Sequence, residues 1–257
     1  MSRVNRMATG TQNPATKFFQ WKSQHQKFAY YDKEKGENIF VDMPFKFLAL
    51  SRYKTVKGWN QKKEGSLISN EVKDLKDQMI VNFYPKQGEK QEVCRGSWAD
   101  IKAEVDNWDG KYTESVYVML ENGDIANVQL NGASLSTWFE FQKNKTDMFF
   151  DNWVVVKGFK EGKQGAVTYT FPVFEWGTSM NESQQKLAEV ADEKIGVYED
   201  SYFGAKDNQA LTPNRQRSEV DKYEVNSNKP PVPPTAVDAE LAMLEATGQG
   251  VDDDMPF

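Results

Sequence analysis

Nine short runs rich in β-branched and aromatic residues, separated by turn chemistry, restrict this chain to one broad kind of fold. They are QKFAYY (26–31), NIFV (38–41), FKFLAL (45–50), MIVNFY (79–84), QEVC (91–94), SVYVML (115–120), IANVQL (125–130), WVVVKGF (153–159) and AVTYTFPVF (166–174). Runs of this length and composition read as strands. DKEKGE (32–37), PKQGEK (85–90), Asn122-Gly123 and KEGKQG (160–165) each stand between two of them, and Asn-Gly is the strongest short hairpin signal. The pattern predicts an all-β, antiparallel domain with minor α content.

Two helices interrupt the strands. In SWADIKAEVDNW, Ser97 stands at the cap position and Asp100 at the third helical position, while Ile101, Val105 and Trp108 form an apolar stripe near 98–108. SLSTWFEFQK places Leu135, Trp138, Phe139 and Gln142 on a shorter amphipathic helix near 134–143, expected to lie on the sheet. Of the 33 Phe, Trp and Tyr, 28 fall within residues 1–180, so the core belongs there. A folded domain over residues 16–178 is expected, after a polar arm of residues 1–15. The stretch NESQQKLAEVADEK has a favourable Glu182–Lys186 pair but few apolar anchors, so it is compatible with a helix that need not dock. It opens an acidic linker, 179–250, in which KPPVPPT (229–235) favours extended polyproline II and AVDAELAMLEATG carries Val237, Leu241 and Leu244 at helical spacing.

Several chemistries find no support. Cys94 is alone, which excludes an intramolecular disulfide, and with His25 the single histidine a metal site would have to rest on carboxylates. Asp74 with Asp77, or Asp106 with Asp109, has the spacing of an ordinary solvated face. No phosphate-cradling Gly-Lys-Ser/Thr loop occurs, because Gly158, Gly162 and Gly165 lie in an expected hairpin. Pairing Cys94 or a serine with His25 as nucleophile and base has no sequence signature; His25 reads as a surface residue or a nucleic-acid contact. The chain is expected to have no enzymatic activity, no metal and no cofactor. The polar start, MSRVNRMATGTQNP, lacks the apolar segment of a signal peptide, and no run approaches the ~20 apolar residues that span a bilayer, so a cytoplasmic protein without a membrane partner is expected.

Charge supplies the positive argument. Residues 1–63 hold 13 basic side chains against 4 acidic ones, while residues 181–257 hold 7 against 16, so an acidic overall balance conceals a basic module. Within KFFQWKSQHQKFAYYDKEK and PFKFLALSRYKTVKGWNQKK, aromatic and basic side chains interleave. A single nucleic-acid strand presents a line of phosphates and a series of base faces; lysines and arginines track the first, and rings stack on the second whatever the base. Trp21, Lys22, Tyr30, Tyr31, Lys33, Lys46, Arg52, Tyr53, Lys54, Lys57, Trp59, Lys62 and Lys63 are the candidate contacts for single-stranded DNA. Core packing is the expectation for Phe18, Phe40, Phe45 and Phe47.

The chain ends VDDDMPF. A flexible acidic spacer, a proline bend and a terminal aromatic with a free carboxylate suit a partner pocket having a basic rim and an apolar floor. This tip resembles that of bacterial single-stranded DNA-binding proteins, which end in three acidic residues followed by Ile-Pro-Phe: Asp252, Asp253, Asp254, Pro256 and Phe257 match, and Met255 replaces the isoleucine. From Lys17 to Trp176 the body is similar to phage-encoded members, through FAYYDKEKGENIFVDMPFKFLAL, VKGWNQKKEGSLISNEV and YVMLENGDIANVQLNGASLSTWFEF. The resemblance implies an elaborated OB-fold barrel and protection of single-stranded DNA in replication, recombination or repair. It also implies recruitment of the proteins of those processes through residues 251–257, within a bacterial host's cytoplasm if the chain is phage-encoded; self-association stays open. An RNA-binding or protein-bridging OB module, or a metal-dependent nuclease, are the other readings the residues permit.

Overall fold

The computed structural model describes residues 12–143 and 151–210, with side chains to residue 204. In chain order the strands are β1 (Phe18–Lys22), β2 (Lys27–Asp32), β3 (Glu37–Phe40), β4 (Phe45–Asn60), β5 (Gly65–Ser69), β6 (Met79–Pro85), β7 (Gln91–Gly96), β8 (Gly110–Leu120), β9 (Ile125–Leu130), β10 (Asn152–Gln164) and β11 (Val167–Ser179). Three helices accompany them: α1 (Trp98–Asn107), α2 (Gly132–Gln142) and α3 (Glu182–Ala210). All strands join one mixed sheet of order β3-β2-β1-β9-β8-β4-β5-β6-β7, with β10 hydrogen-bonded to the start of β4 and β11 to β10. The fold is therefore mostly β, but not wholly antiparallel as expected, because β1 runs parallel to β9 through Phe18↔Asn127 and Gln20↔Gln129. Among the described residues no helix is long and apolar enough to cross a membrane.

Strand β4 is far longer than the FKFLAL run. It pairs with β8 along one edge from Phe47 to Gly58, and shares its other edge between β10 at its start and β5 at its end. A bulge between Ala49 and Ser51 inserts one residue against β8. Side chains alternate with period two, so one extra residue exchanges the faces of everything beyond it. Before the bulge Phe45, Phe47 and Ala49 enter the larger core; after it Val56 does, an even-numbered position. Leu48, Leu50 and Tyr53 enter a second core on the opposite face.

The larger core receives α1 and α2. Trp98, Ile101 and Val105 of α1 are buried, and the Asp100 carboxylate accepts the amide and hydroxyl of Ser97, so the helix begins where the sequence places it. Leu135 and Trp138 anchor α2 over Phe47 and Phe174. Gly65 is required at the start of β5, because a Cβ there would stand 2.3 Å from the Phe83 ring.

The second core carries the folded body past residue 178, where the sequence places the start of a linker with a helix that need not dock. Ala188, Ala191, Ile195 and Tyr198 of α3 are buried against Leu48, Leu50, Tyr117, Met119, Ile125 and Trp153. Small alanines let the helix approach closely, which is why an apolar-poor sequence still docks. Polar bonds fix its far end: Glu199 accepts hydrogen bonds from Tyr53, from Ser51 at 2.9 Å and from Lys73 at 3.1 Å. Glu71, from the loop after β5, accepts the hydroxyls of Tyr117 and Tyr198 at 3.0 and 3.3 Å, and Tyr202 Oη accepts the Glu71 amide at 2.8 Å.

Burial alone would raise the Glu199 carboxyl, but the hydrogen bonds from Tyr53, Lys73 and Ser51 outweigh it and hold the group below the usual carboxylate range. Its contribution to stability is complete above the ordinary glutamate pKa of about 4.3 and is lost as pH falls through the lower folded value. Glu199→Gln should therefore lower the urea midpoint at neutral pH, and the gap to wild type should close in acid. A gap that persists well below the carboxylate range contradicts this role of Glu199.

Candidate nucleic-acid interface

Cross-strand partners share a face of the sheet, so the register alone maps the surface opposite the larger core. One row across it runs Tyr31, Phe18, Asn127, Tyr117, and the next runs Phe40, Ala29, Gln20, Gln129, Ser115, Tyr53. Toward the far end of β4 come Lys57 beside Lys111 and Ile68, then Trp59 beside Ser66 and Tyr84. Phe18, Tyr31, Phe40, Trp59 and Tyr84 thus all project from one face, and all five are exposed, Tyr31 by 60% and Trp59 by 50%. Helix α3 covers this face over Tyr53 and Tyr117. Among the described residues two patches are left uncovered by α3, one on β1–β3 and one on β4–β6.

The candidate residues divide accordingly. Tyr31 and Trp59 stand exposed on this face with Lys22 and Lys57 half-buried beside them, and Lys33 and Lys62 are exposed in the turns after β2 and β4. Lys63, in the latter turn, lies over the Trp108 ring at 3.2 Å. Trp21 and Tyr30 take the alternate positions of β1 and β2 and pack against the larger core; the Trp21 indole donates to the Thr170 carbonyl at 2.8 Å, and Tyr30 meets Phe19 edge-on. Adjacent strand residues cannot both face outward, so Tyr30 and Tyr31 separate.

Four other candidates are engaged within the fold. Tyr53 is 1% exposed, sealed under α3 against Tyr117 and Phe203, and a ring so placed has no free face for a base. Arg52 lies 3.9 Å from the buried carboxylate of Glu114 and donates to Gln142 at 3.2 Å. Removing that guanidinium would leave the buried Glu114 without this cation, so Arg52 contributes to the fold. Lys54 donates to the Lys73 carbonyl, and Lys46 pairs with Glu121 at 2.8 Å over the Trp153 ring.

Sequence reasoning missed Phe18, Phe40 and Tyr84. Phe18 and Phe40 had the pattern of core residues, yet the period-two alternation that buries Phe19 and Phe28 turns them outward. The signal that finds them is register, which depends on the parallel β1–β9 pairing. Phe45 and Phe47, in contrast, are core as expected.

The catalytic alternatives gain little from the geometry. Cys94 is on β7, where burial and the charges of Glu104 and Glu92 push its thiol up to about 11, away from a thiolate at neutral pH. His25 lies against the Phe40 ring, with centroids 4.3 Å apart. Asp74 and Asp77 accept backbone amides of their own turn, and among the described residues no group of three His, Cys, Asp or Glu is arranged to hold a metal ion. The tip residues Asp252, Asp253, Asp254, Met255, Pro256 and Phe257 lie outside the described residues. Compared with protein-family models, with curated proteins and with solved structures, the chain matches none.

Burial lowers the pKa of Lys57, and the negative charge of Glu71 opposes this without cancelling it. Lys57 should therefore lose its proton at lower pH than the exposed lysines. After reductive ¹³C-methylation, an NMR titration should show its resonance shifting first, and earlier still in Glu71→Gln, which removes the opposing term. A Lys57 that titrates together with the exposed lysines contradicts the assignment.

Proposed function

We propose that this chain binds single-stranded DNA with little sequence preference, protects it during replication, recombination or repair, and recruits proteins of those processes through residues 251–257. One observation carries the reading: five exposed rings, Phe18, Tyr31, Phe40, Trp59 and Tyr84, share one sheet face with Lys22, Lys57 and Lys111. Water-exposed rings set among lysines suit a polyanion with unpaired bases, since stacking and charge neutralisation then act together. The hydrogen bond from the Trp21 indole to the Thr170 carbonyl and the one from the Thr170 amide to the Ser23 hydroxyl, which tie the end of β1 to β11, support an elaborated OB-type barrel. The terminal VDDDMPF, so like the tip of bacterial single-stranded DNA-binding proteins, supports recruitment.

Titration of the full chain with single-stranded DNA, duplex DNA and RNA at two salt concentrations tests the reading. The single strand of DNA should bind tightest, with a log-log salt slope of about −0.7 for each phosphate neutralised. Trp59→Ala and Tyr84→Ala should each weaken it by about 1 to 3 kcal/mol while leaving the thermal midpoint nearly unchanged. Equal affinity for duplex, or rings whose removal changes nothing, would refute the stacking face.

The tip is tested separately. Phe257→Ala should leave affinity for single-stranded DNA intact and remove the retention of host replication and repair proteins on immobilised protein, because a pocket with an apolar floor loses its anchor. Retention unchanged by the substitution would place recruitment elsewhere in the chain.

A further inference from the structure

A groove of about 890 Å³ lies between α2 and the β10–β11 hairpin, and none of the DNA contacts expected from the sequence lines it. Three lysines, Lys111, Lys160 and Lys163, line it together with the rings of Phe141, Tyr169 and Phe171; Glu140 is the carboxylate among them. The hairpin register sets Lys160 opposite Phe171 and Gly162 opposite Tyr169, so these two rings and the Lys160 ammonium share one side of the ribbon. Gly162 positions Tyr169, because the phenol lies directly over it: a Cβ at Gly162 would stand 2.6 Å from the ring. The centroids of Tyr169 and Phe171 are 6.1 Å apart. Ser136 also lines the groove, and its hydroxyl is buried without a hydrogen-bond partner among the described residues. A buried polar group left unpaired is costly, and a ligand able to bond it removes that cost.

The chemistry of this lining is selective. Lysines outnumber the one carboxylate, so the occupant is anionic; the rings demand a flat apolar face beside the charge. An isolated phosphate uses none of the rings, and an apolar ligand uses none of the lysines. Lys111 also links the groove to the sheet face, since it pairs with Lys57, two residues from Trp59.

We propose that this groove is a second strand-binding subsite, which takes nucleotides of a single strand after it leaves the Trp59–Tyr84 patch past Lys57 and Lys111, with phosphates on Lys160 and Lys163 and bases on Tyr169 and Phe171. The proposal rests on the reading of the sheet face as a single-stranded DNA site. It adds a path longer than that face.

The test uses the full chain and an oligothymidylate of about 20 nucleotides, longer than the ~4–16 that one OB fold commonly covers. Lys160→Gln with Lys163→Gln removes two exposed charges from the groove. A control, Lys186→Gln with Lys194→Gln, removes two exposed charges from α3. The groove variant should bind tenfold or more weakly with a salt slope smaller in magnitude by about 1.4, whereas the control should change far less. Strands carrying 5-iodouracil should also photo-cross-link to Tyr169 or Phe171 in wild type. If wild type fails to bind the strand, the sheet-face reading falls. If wild type binds, Trp59→Ala weakens it and the groove variant matches the control without cross-links to either ring, this proposal alone is overturned.

Discussion

The backbone ladder of β4 is the constraint on which the rest of the structure depends. A sixteen-residue strand can span the sheet only if both of its edges are satisfied, because unpaired buried backbone groups are costly. Strand β8 supplies one edge, and β10 and β5 divide the other. Its two faces then found two cores: Phe45, Phe47, Ala49 and Val56 on one side, and Leu48, Leu50 and Tyr53 on the other. The single bulge between Ala49 and Ser51 decides which residues go where. Without it Arg52 and Lys54 would face α3, and Tyr53, Lys57 and Trp59 would point toward the larger core.

Attachment of α3 to that second face is partly apolar and partly ionic. Alanine packing alone offers little area, and the tyrosines that flank it bring hydroxyl groups into a poorly hydrated layer. Glu71 and Glu199 satisfy those hydroxyls, and Lys73 compensates the second carboxylate. Each member is needed because an unsatisfied partner in such a network costs more than its bond contributes. Burial and neighbouring carboxylates accordingly hold the Tyr53, Tyr117 and Tyr198 hydroxyls protonated, as donors.

Much of this was legible in the sequence, and the exceptions have physical causes. The hairpin at Asn122-Gly123 joins β8 to β9, with Gly123 at a φ of +83° and the Asn122 side chain bonded to Asp124. Both early helices and most strands lie where periodicity and turn residues place them. Strand β1 was missed because its hairpin with β2 turns through SQHQ, where Gln26 takes a φ of +55° without the Gly or Asn that marks such a turn, and because its other partner, β9, is parallel and has no hairpin signature at all. The β4 extension was missed because SRYKTVKGWN is too basic to read as an interior strand; its long cations bury their stems, and Arg52 and Lys54 find partners at their tips. Composition likewise hid the docking of α3, since alanine contributes little apolar content to a count but permits close contact. For the candidate site, charge and aromatic density located the right region, whereas the bulge and the register determined which half of those residues faces outward.

That partition is the strongest physical argument about what the outer face is for. A fold that buries Phe19, Phe28, Phe45, Phe47, Phe83, Trp138 and Trp153 plainly has room to sequester rings, and leaving one in water forfeits about 25 cal/mol for each Å² of apolar area. Five rings left 39–60% exposed on one face among the described residues, at register positions interleaved with lysines, therefore form an arrangement that folding alone does not favour. Lys22 beside the β1–β3 patch also discourages the simplest alternative there, coverage by an apolar face of another protein, because its ammonium would have to be stripped of water without a counter-charge. The proposed ligand, a single strand of nucleic acid, would meet both requirements at once, offering phosphates to the lysines and bases to the rings, and its flexible backbone could follow a face that α3 divides into two.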